Sequence, residues 1–72
     1  MMKLGTAFKT TGPDGIIRVK LNDGSKIDGF LEERFEEDEL SFLFRLVHNP
    51  EMVVEVTELD IVEINGHKID HA

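Results

Sequence analysis

Residues 16–47 read IIRVKLNDGSKIDGFLEERFEEDELSFLFRLV, and they carry the clearest fold signal of the chain. Apolar and basic side chains alternate over residues 16–21, which is the period-two pattern of a half-buried strand. Residues 22–25 (NDGS) follow, and their Asp-Gly pair is the strongest short-range signal for a hairpin. We therefore predict two antiparallel strands joined by a tight turn at Gly24.

Gly29 lies inside the second predicted strand, on the same face as Ile27 and Leu31. A glycine in the interior of a strand usually marks a bulge, or a bend where a sheet turns a corner. The pattern therefore predicts a short, strongly bent sheet that closes into a small barrel.

The rest of the chain adds three more predicted strands, at residues 40–47, 52–57 and 61–64. The link at residues 58–60 is long enough for only one 3₁₀ turn. We predict a mostly β, five-stranded, SH3-like barrel in a single domain that spans residues 1–72. Its parts are an arm or short helix at residues 1–15, the barrel at 16–64 and a frayed tail at 65–72.

Composition limits the classes of partner. The chain has 72 residues, no cysteine, and 15 acidic against 8 basic side chains, for a net charge of -7. This charge repels phosphate backbones and anionic lipids at long range. No apolar run approaches the roughly 20 residues that span a bilayer, and no signal peptide is recognisable. We expect a soluble, cytoplasmic protein with no DNA and no membrane as partner, supported in its small core by oligomerisation.

Catalytic and metal signals are weak. The acidic run at residues 32–39 lacks the ligand spacing and the glycine of a calcium loop, so we interpret it as a solvated loop. It could also dock a basic segment of another protein. The hydroxyl side chains have no His and Asp at a spacing that suggests a triad. We therefore predict no catalytic residue, no cofactor and no metal site, and we do not expect an enzyme.

The order of these elements resembles the Sm-like family, small bent barrels that assemble into rings and usually bind single-stranded RNA. The family has a glycine-ended turn followed by a second glycine, and later two alternating apolar positions followed by two Ile three apart. The matching residues here are Val19, Leu21, Gly24, Gly29 and Leu31 for the first motif, and Val54, Val56, Ile61 and Ile64 for the second.

The resemblance places the RNA-contacting positions of the family at Ser41, Thr57 and Glu58. The family has Asn where Ser41 stands, and Arg-Gly where Thr57-Glu58 stand. Losing a planar cation and gaining a carboxylate removes both the stacking partner of a base and the matching charge. We therefore expect that the usual uridine pocket has been lost.

The resemblance also implies a mode of assembly. In the family, the fourth strand of one subunit pairs with the fifth strand of the next, and this pairing covers two sheet edges. The predicted interface consists of Met52, Val53, Val54, Glu55, Val56, Ile61, Val62, Glu63 and Ile64.

These observations favour a homo-oligomeric, ring-forming Sm-like protein that acts as a scaffold or protein-binding module. The first alternative is a ring that does bind RNA, through cations that gather on one face. These cations would be Arg18, Lys20, Lys26, Arg34 and Arg45. The second alternative is a monomeric SH3-like module that binds peptides.

Overall fold

A computed structural model describes residues 1–37 and 39–72, and the chain is mostly β with one short helix. The elements in chain order are α1 (Leu4–Phe8), β1 (Ile17–Leu21), β2 (Lys26–Phe35), β3 (Ser41–Leu46), β4 (Val53–Thr57), a 3₁₀ turn (Glu58–Asp60), β5 (Ile61–Ile64) and β6 (His67–Lys68). The mostly β class and the short amino-terminal helix are therefore confirmed.

The six strands form one antiparallel sheet in the order β4-β3-β2-β1-β5-β6. Within the described residues the end strands, β4 and β6, do not pair with each other, so the sheet is not closed into a barrel. The prediction of a closed, five-stranded barrel is thus not confirmed. β6 adds a sixth strand beyond β5, and no pairing joins β4 to β5 in the described residues.

The tail forms part of the sheet, and the prediction that it is frayed is wrong. Asn65 and Gly66 both have positive φ, 52° and 84°, which is the backbone of a two-residue hairpin turn. This turn brings β6 back along β5, and the next residue, Ile69, is buried in the core. Met2 then pairs with Ile69 in an isolated parallel bridge, so both ends of the chain meet at this side of the sheet.

The predicted hairpin between β1 and β2 is confirmed. Gly24 has a φ of 89°, and its amide donates to the carbonyl of Leu21 over 2.9 Å. The Asp23 carboxylate accepts from the Ser25 amide and hydroxyl over 2.8 and 2.6 Å, and these bonds lower the pKa of Asp23. A polar side chain thus closes the turn locally, as the sequence pattern indicates.

Gly29 is needed for close packing between strands, and it is paired regularly with Ile17 and Leu46, so the expectation that a bulge lies at Gly29 is wrong. The register shift in β2 lies further along, between Leu31 and Glu33. A Cβ at Gly29 would lie 2.7 Å from the Arg45 carbonyl oxygen and 3.3 Å from the Phe44 Cβ. Only a residue without a side chain fits where β2 approaches β3 this closely.

The core lies between the concave side of the sheet and α1. Phe42 and Phe44 of β3 are almost fully buried, and the Phe8 ring packs against both, with centroid distances of 5.0 and 6.4 Å. Ile61 and Ile64 of β5 are fully buried in the same cluster. Phe and Ile side chains have no polar atom to satisfy, which suits a core of this size.

We predict that Gly29→Ala destabilises the fold by about 1–3 kcal/mol, because the added methyl group forces the backbones of β2 and β3 apart. Gly5→Ala is the matched control, since Gly5 lies in α1 and nothing stands within 4 Å of its Cβ position. The control should be as stable as the wild type, or more stable by up to about 1 kcal/mol. Urea unfolding measures both variants, and equal stabilities would contradict the packing explanation.

Candidate functional site

The β4 strand is an open edge of the sheet. β4 pairs with β3 on one side, and among the described residues no strand pairs with its other side. An unpaired edge presents a row of free N–H and C=O groups, which is a template for another extended chain. This edge is therefore the first candidate for an interaction site.

The hydrogen-bond pattern identifies the free backbone groups. The Leu46 amide donates to Met52 over 3.1 Å, and the Glu58 amide donates to Leu40 over 2.8 Å. Hydrogen-bonded and non-hydrogen-bonded pairs alternate along an antiparallel ladder. The backbone N–H and C=O groups of Val54 and Val56 therefore also point toward β3. The backbone N–H and C=O groups of the other residues of β4 point outward. These residues are Val53, Glu55 and Thr57.

Apolar side chains lie beside this edge. Met52 is 49% exposed and Val53 is 43% exposed, while Val54 and Val56 pack toward the core. The side chain of Glu55 is exposed and lies between those of Val53 and Thr57 on the outer face. The fourth-strand half of the predicted interface thus has an accessible backbone and two accessible apolar side chains.

The other half of the predicted interface, β5, is covered in the isolated chain. The side chains of Ile61 and Ile64 lie in the core, and β6 lies along the outer edge of the strand. The Ile69 amide donates to the Val62 carbonyl over 3.0 Å, and the His71 Nε2 lies 2.7 Å from the Ile61 carbonyl oxygen. β4 and β5 also belong to opposite halves of the sheet, with β3, β2 and β1 between them.

The three positions that correspond to RNA contacts in the Sm-like family come together at one end of β3 and β4. Ser41 pairs directly with Thr57 in the ladder, and Glu58 is the next residue. Ser41 is buried, and the Thr57 hydroxyl donates to Asp60 over 2.8 Å. The open groove here has a volume of about 410 Å³. Its lining residues are Phe35, Glu37, Glu39, Ser41, Glu55 and Thr57. The lining includes carboxylates and no cation.

The five cations considered for RNA binding do not share one site. Arg34 pairs with Glu36 over 2.8 Å, and Arg45 forms an ion pair with Glu32. The other three line a second open groove, also of about 410 Å³, on the outer face of β1 and β2. This basic groove contains Arg18, Lys20, Lys26 and His48, with Asp28 and Glu63 beside them.

Two functional features escape the sequence prediction. The first is the pairing of the tail with β5. Asn65-Gly66 could have predicted it, because Asn-Gly, like the Asp-Gly pair of the first hairpin, is a typical hairpin turn. The second is that Lys20 and Lys26 stand directly opposite each other across β1 and β2. The register of a hairpin follows from its turn, so this opposition can be read from the position of Gly24.

Comparison with protein-family models, with curated proteins and with solved structures found no match to this chain. Within residues 1–37 and 39–72 no three His, Asp or Glu side chains are grouped in a way that could hold a metal ion. None of the helices in this part of the chain has the length and apolar character needed to cross a membrane. Asp38, in the predicted acidic loop, lies outside the described residues.

We predict that acid loosens the tail from β5. The Ala72 amide, 2.9 Å from the Asp70 carboxylate, and the Lys3 ammonium, 3.3 Å from it, lower the pKa of Asp70 below its usual 3.8. A carboxylate whose pKa is lowered by folding stabilises the folded form above its usual pKa, and the stabilisation is lost as the pH falls through the lowered value. The protection factor of the Ile69 amide, which divides out the intrinsic slowing of exchange in acid, should therefore fall below about pH 4.

Asp70→Asn should accelerate the exchange of the Ile69 amide already at neutral pH. Asp23→Asn is the matched control, since it removes a carboxylate whose pKa is also lowered but which bonds to Ser25 in the β1–β2 turn and not to the tail. Exchange at Ile69 that is the same in the wild type and in Asp70→Asn would show that the ion pair does not hold the tail.

Proposed function

We propose that this chain is a homo-oligomeric scaffold protein of Sm-like type, which binds other copies of itself through the β4 edge. The observation that carries the proposal is the unpaired row of backbone groups at Val53, Glu55 and Thr57. Main-chain pairing along such an edge supplies affinity, and the apolar side chains beside it supply contact area. Met52 and Val53 are the exposed apolar side chains at this edge.

The Sm-like part of the proposal is supported by the layout of the strands. The strands β1 to β5 follow a short helix in antiparallel order, ahead of the short β6, and a single 3₁₀ turn, Glu58–Asp60, joins β4 to β5. This short link, together with the hairpin at Gly24 and the close approach at Gly29, fits the motifs that carry the resemblance. In a ring of this type, β4 of one copy pairs with β5 of the next.

Pairing with β5 requires that the tail leaves its place. β6 has two residues, and the tail is held further by the buried Ile69 and by His71. An incoming β4, five residues long, offers more ladder bonds than β6 does. Assembly therefore replaces a short pairing within one chain by a longer pairing between two chains.

A matched pair of variants tests the β4 edge. Glu55→Pro removes the central outward N–H, and proline is tolerated on an edge strand whose N–H faces solvent. Glu55→Gln removes the same charge and keeps the N–H. In sedimentation equilibrium we expect Glu55→Gln still to assemble, with a Kd raised only by the lost charge, and Glu55→Pro to remain at the monomer mass of 8.2 kDa. Assembly of both variants would place the interface elsewhere.

RNA binding is the alternative function, and one observation favours it. Arg18, Lys20 and Lys26 share the basic groove, although the chain as a whole is acidic. Asp28 and Glu63 stand in the same groove and repel phosphates, and the groove has no aromatic side chain on which a base could stack. The scaffold is therefore the function that we favour.

We predict that oligo-U and oligo-A bind weakly even at low salt, because repulsion by the net charge of -7 opposes the few cations. Fluorescence anisotropy with labelled oligonucleotides measures this binding, and Lys26→Gln is the control for the groove. Tight, salt-sensitive binding that Lys26→Gln abolishes would establish the RNA alternative.

A further inference from the structure

The outer face of the sheet carries opposite charges at its two halves. Strand register places Lys26, Lys20 and Glu63 in one row across β2, β1 and β5. It places Glu33 and Glu55 in another row, on either side of Leu43, across β2, β3 and β4. We call the Glu33, Glu37, Glu39 and Glu55 side chains the acidic end.

The basic groove contains a like-charge pair that the fold itself does not require. Lys20 and Lys26 face each other directly, and such a pair destabilises a sheet. Glu63 lies 3.4 Å from the Lys20 Nζ, whereas Lys26 has no ion-pair partner within 4.0 Å among the described residues. An anionic partner placed over Lys26 would relieve this repulsion.

The acidic end has the complementary arrangement. Glu37, Glu39 and Glu55 line one groove, and no cation lines it with them. The register shift between Leu31 and Glu33 adds a further carboxylate to this end. A bulge changes the direction of the side chains that follow it, and here it puts Glu33 on the outer face, opposite Leu43. Arg45 is the one cation of β3, and it forms an ion pair with Glu32.

We propose that the acidic end of one copy docks against the basic groove of the next, so that copies associate head to tail. This inference rests on the proposed self-association, in which β4 of one copy meets β5 of the next, and it names the charges that favour this contact over a two-fold one. A two-fold contact between two β4 edges would bring the acidic ends together, and like charges at an interface are costly. A head-to-tail contact instead places the acidic end of one copy against Arg18, Lys20 and Lys26 of its neighbour, which outnumber Asp28 and Glu63 in the basic groove.

Charge reversal tests the docking of the acidic end against the basic groove, with two variants that should not weaken the fold. Lys26→Glu replaces a Lys–Lys pair by a Lys–Glu pair and should be at least as stable as the wild type. Glu33→Lys changes an exposed side chain opposite Leu43, so we expect its effect on stability to be small. Urea unfolding checks this. Each variant alone should raise the Kd of self-association on the order of tenfold, and an equimolar mixture should restore assembly.

Sedimentation equilibrium between about 0.05 and about 0.5 M NaCl completes the experiment, because charge attraction across an interface weakens as salt increases. Weaker assembly of the wild type at high salt, loss in each variant and rescue in the mixture would support head-to-tail docking. Assembly that neither salt nor the variants change would leave the scaffold in place and overturn the docking of the acidic end against the basic groove. A monomer at every salt concentration would overturn both proposals, and oligo-U that competes with assembly would assign the basic groove to RNA.

Discussion

The unpaired backbone of β4 is the constraint on which the rest of the account depends. In an open antiparallel sheet every inner strand satisfies its N–H and C=O groups on both sides, and each end strand leaves one side free. At the other end of this sheet the tail and Met2 close the edge, since β6 covers β5 and Met2 bridges to Ile69. The β4 edge has no such cover among the described residues, and it carries exposed Met52 and Val53. The two sheet ends are therefore unequal, and this inequality gives self-association a direction.

Charge follows the same asymmetry. The net charge of -7 is not spread evenly, because carboxylates gather near β4, whereas Arg18, Lys20 and Lys26 gather near the β1–β2 hairpin and outnumber Asp28 and Glu63 there. A strongly charged edge keeps identical copies from pairing through the same edge, which is one way in which sheet proteins avoid uncontrolled association. The acidic run, interpreted from the sequence as a solvated loop or a docking surface for a basic segment, has the second of these roles in the proposed assembly.

Local features were predictable from the sequence, and features set by distant contacts were not. The hairpin at Gly24 and the burial of Phe42 and Phe44 depend on turn chemistry and on period-two alternation, both of which are visible in a few residues. Gly29 was singled out correctly, but the reason, its closeness to the Arg45 carbonyl, comes from a strand far along the chain. β6 was missed because His67 and Lys68 are polar and show no apolar alternation. The placement of Glu33 on the outer face depends on the register shift after Leu31, which the alternation of apolar and polar residues does not predict.

Amide hydrogen exchange of β4 as a function of protein concentration tests the central claim most directly. In a dilute solution the amides of Val53, Glu55 and Thr57 point to solvent and should exchange rapidly, whereas those of Val54 and Val56 are bonded to β3. The account predicts that the three outward amides become protected as the concentration rises, while the two inward amides stay protected throughout. Outward amides that remain unprotected at concentrations where the protein is assembled would contradict it, because the copies would then be joined without pairing at β4.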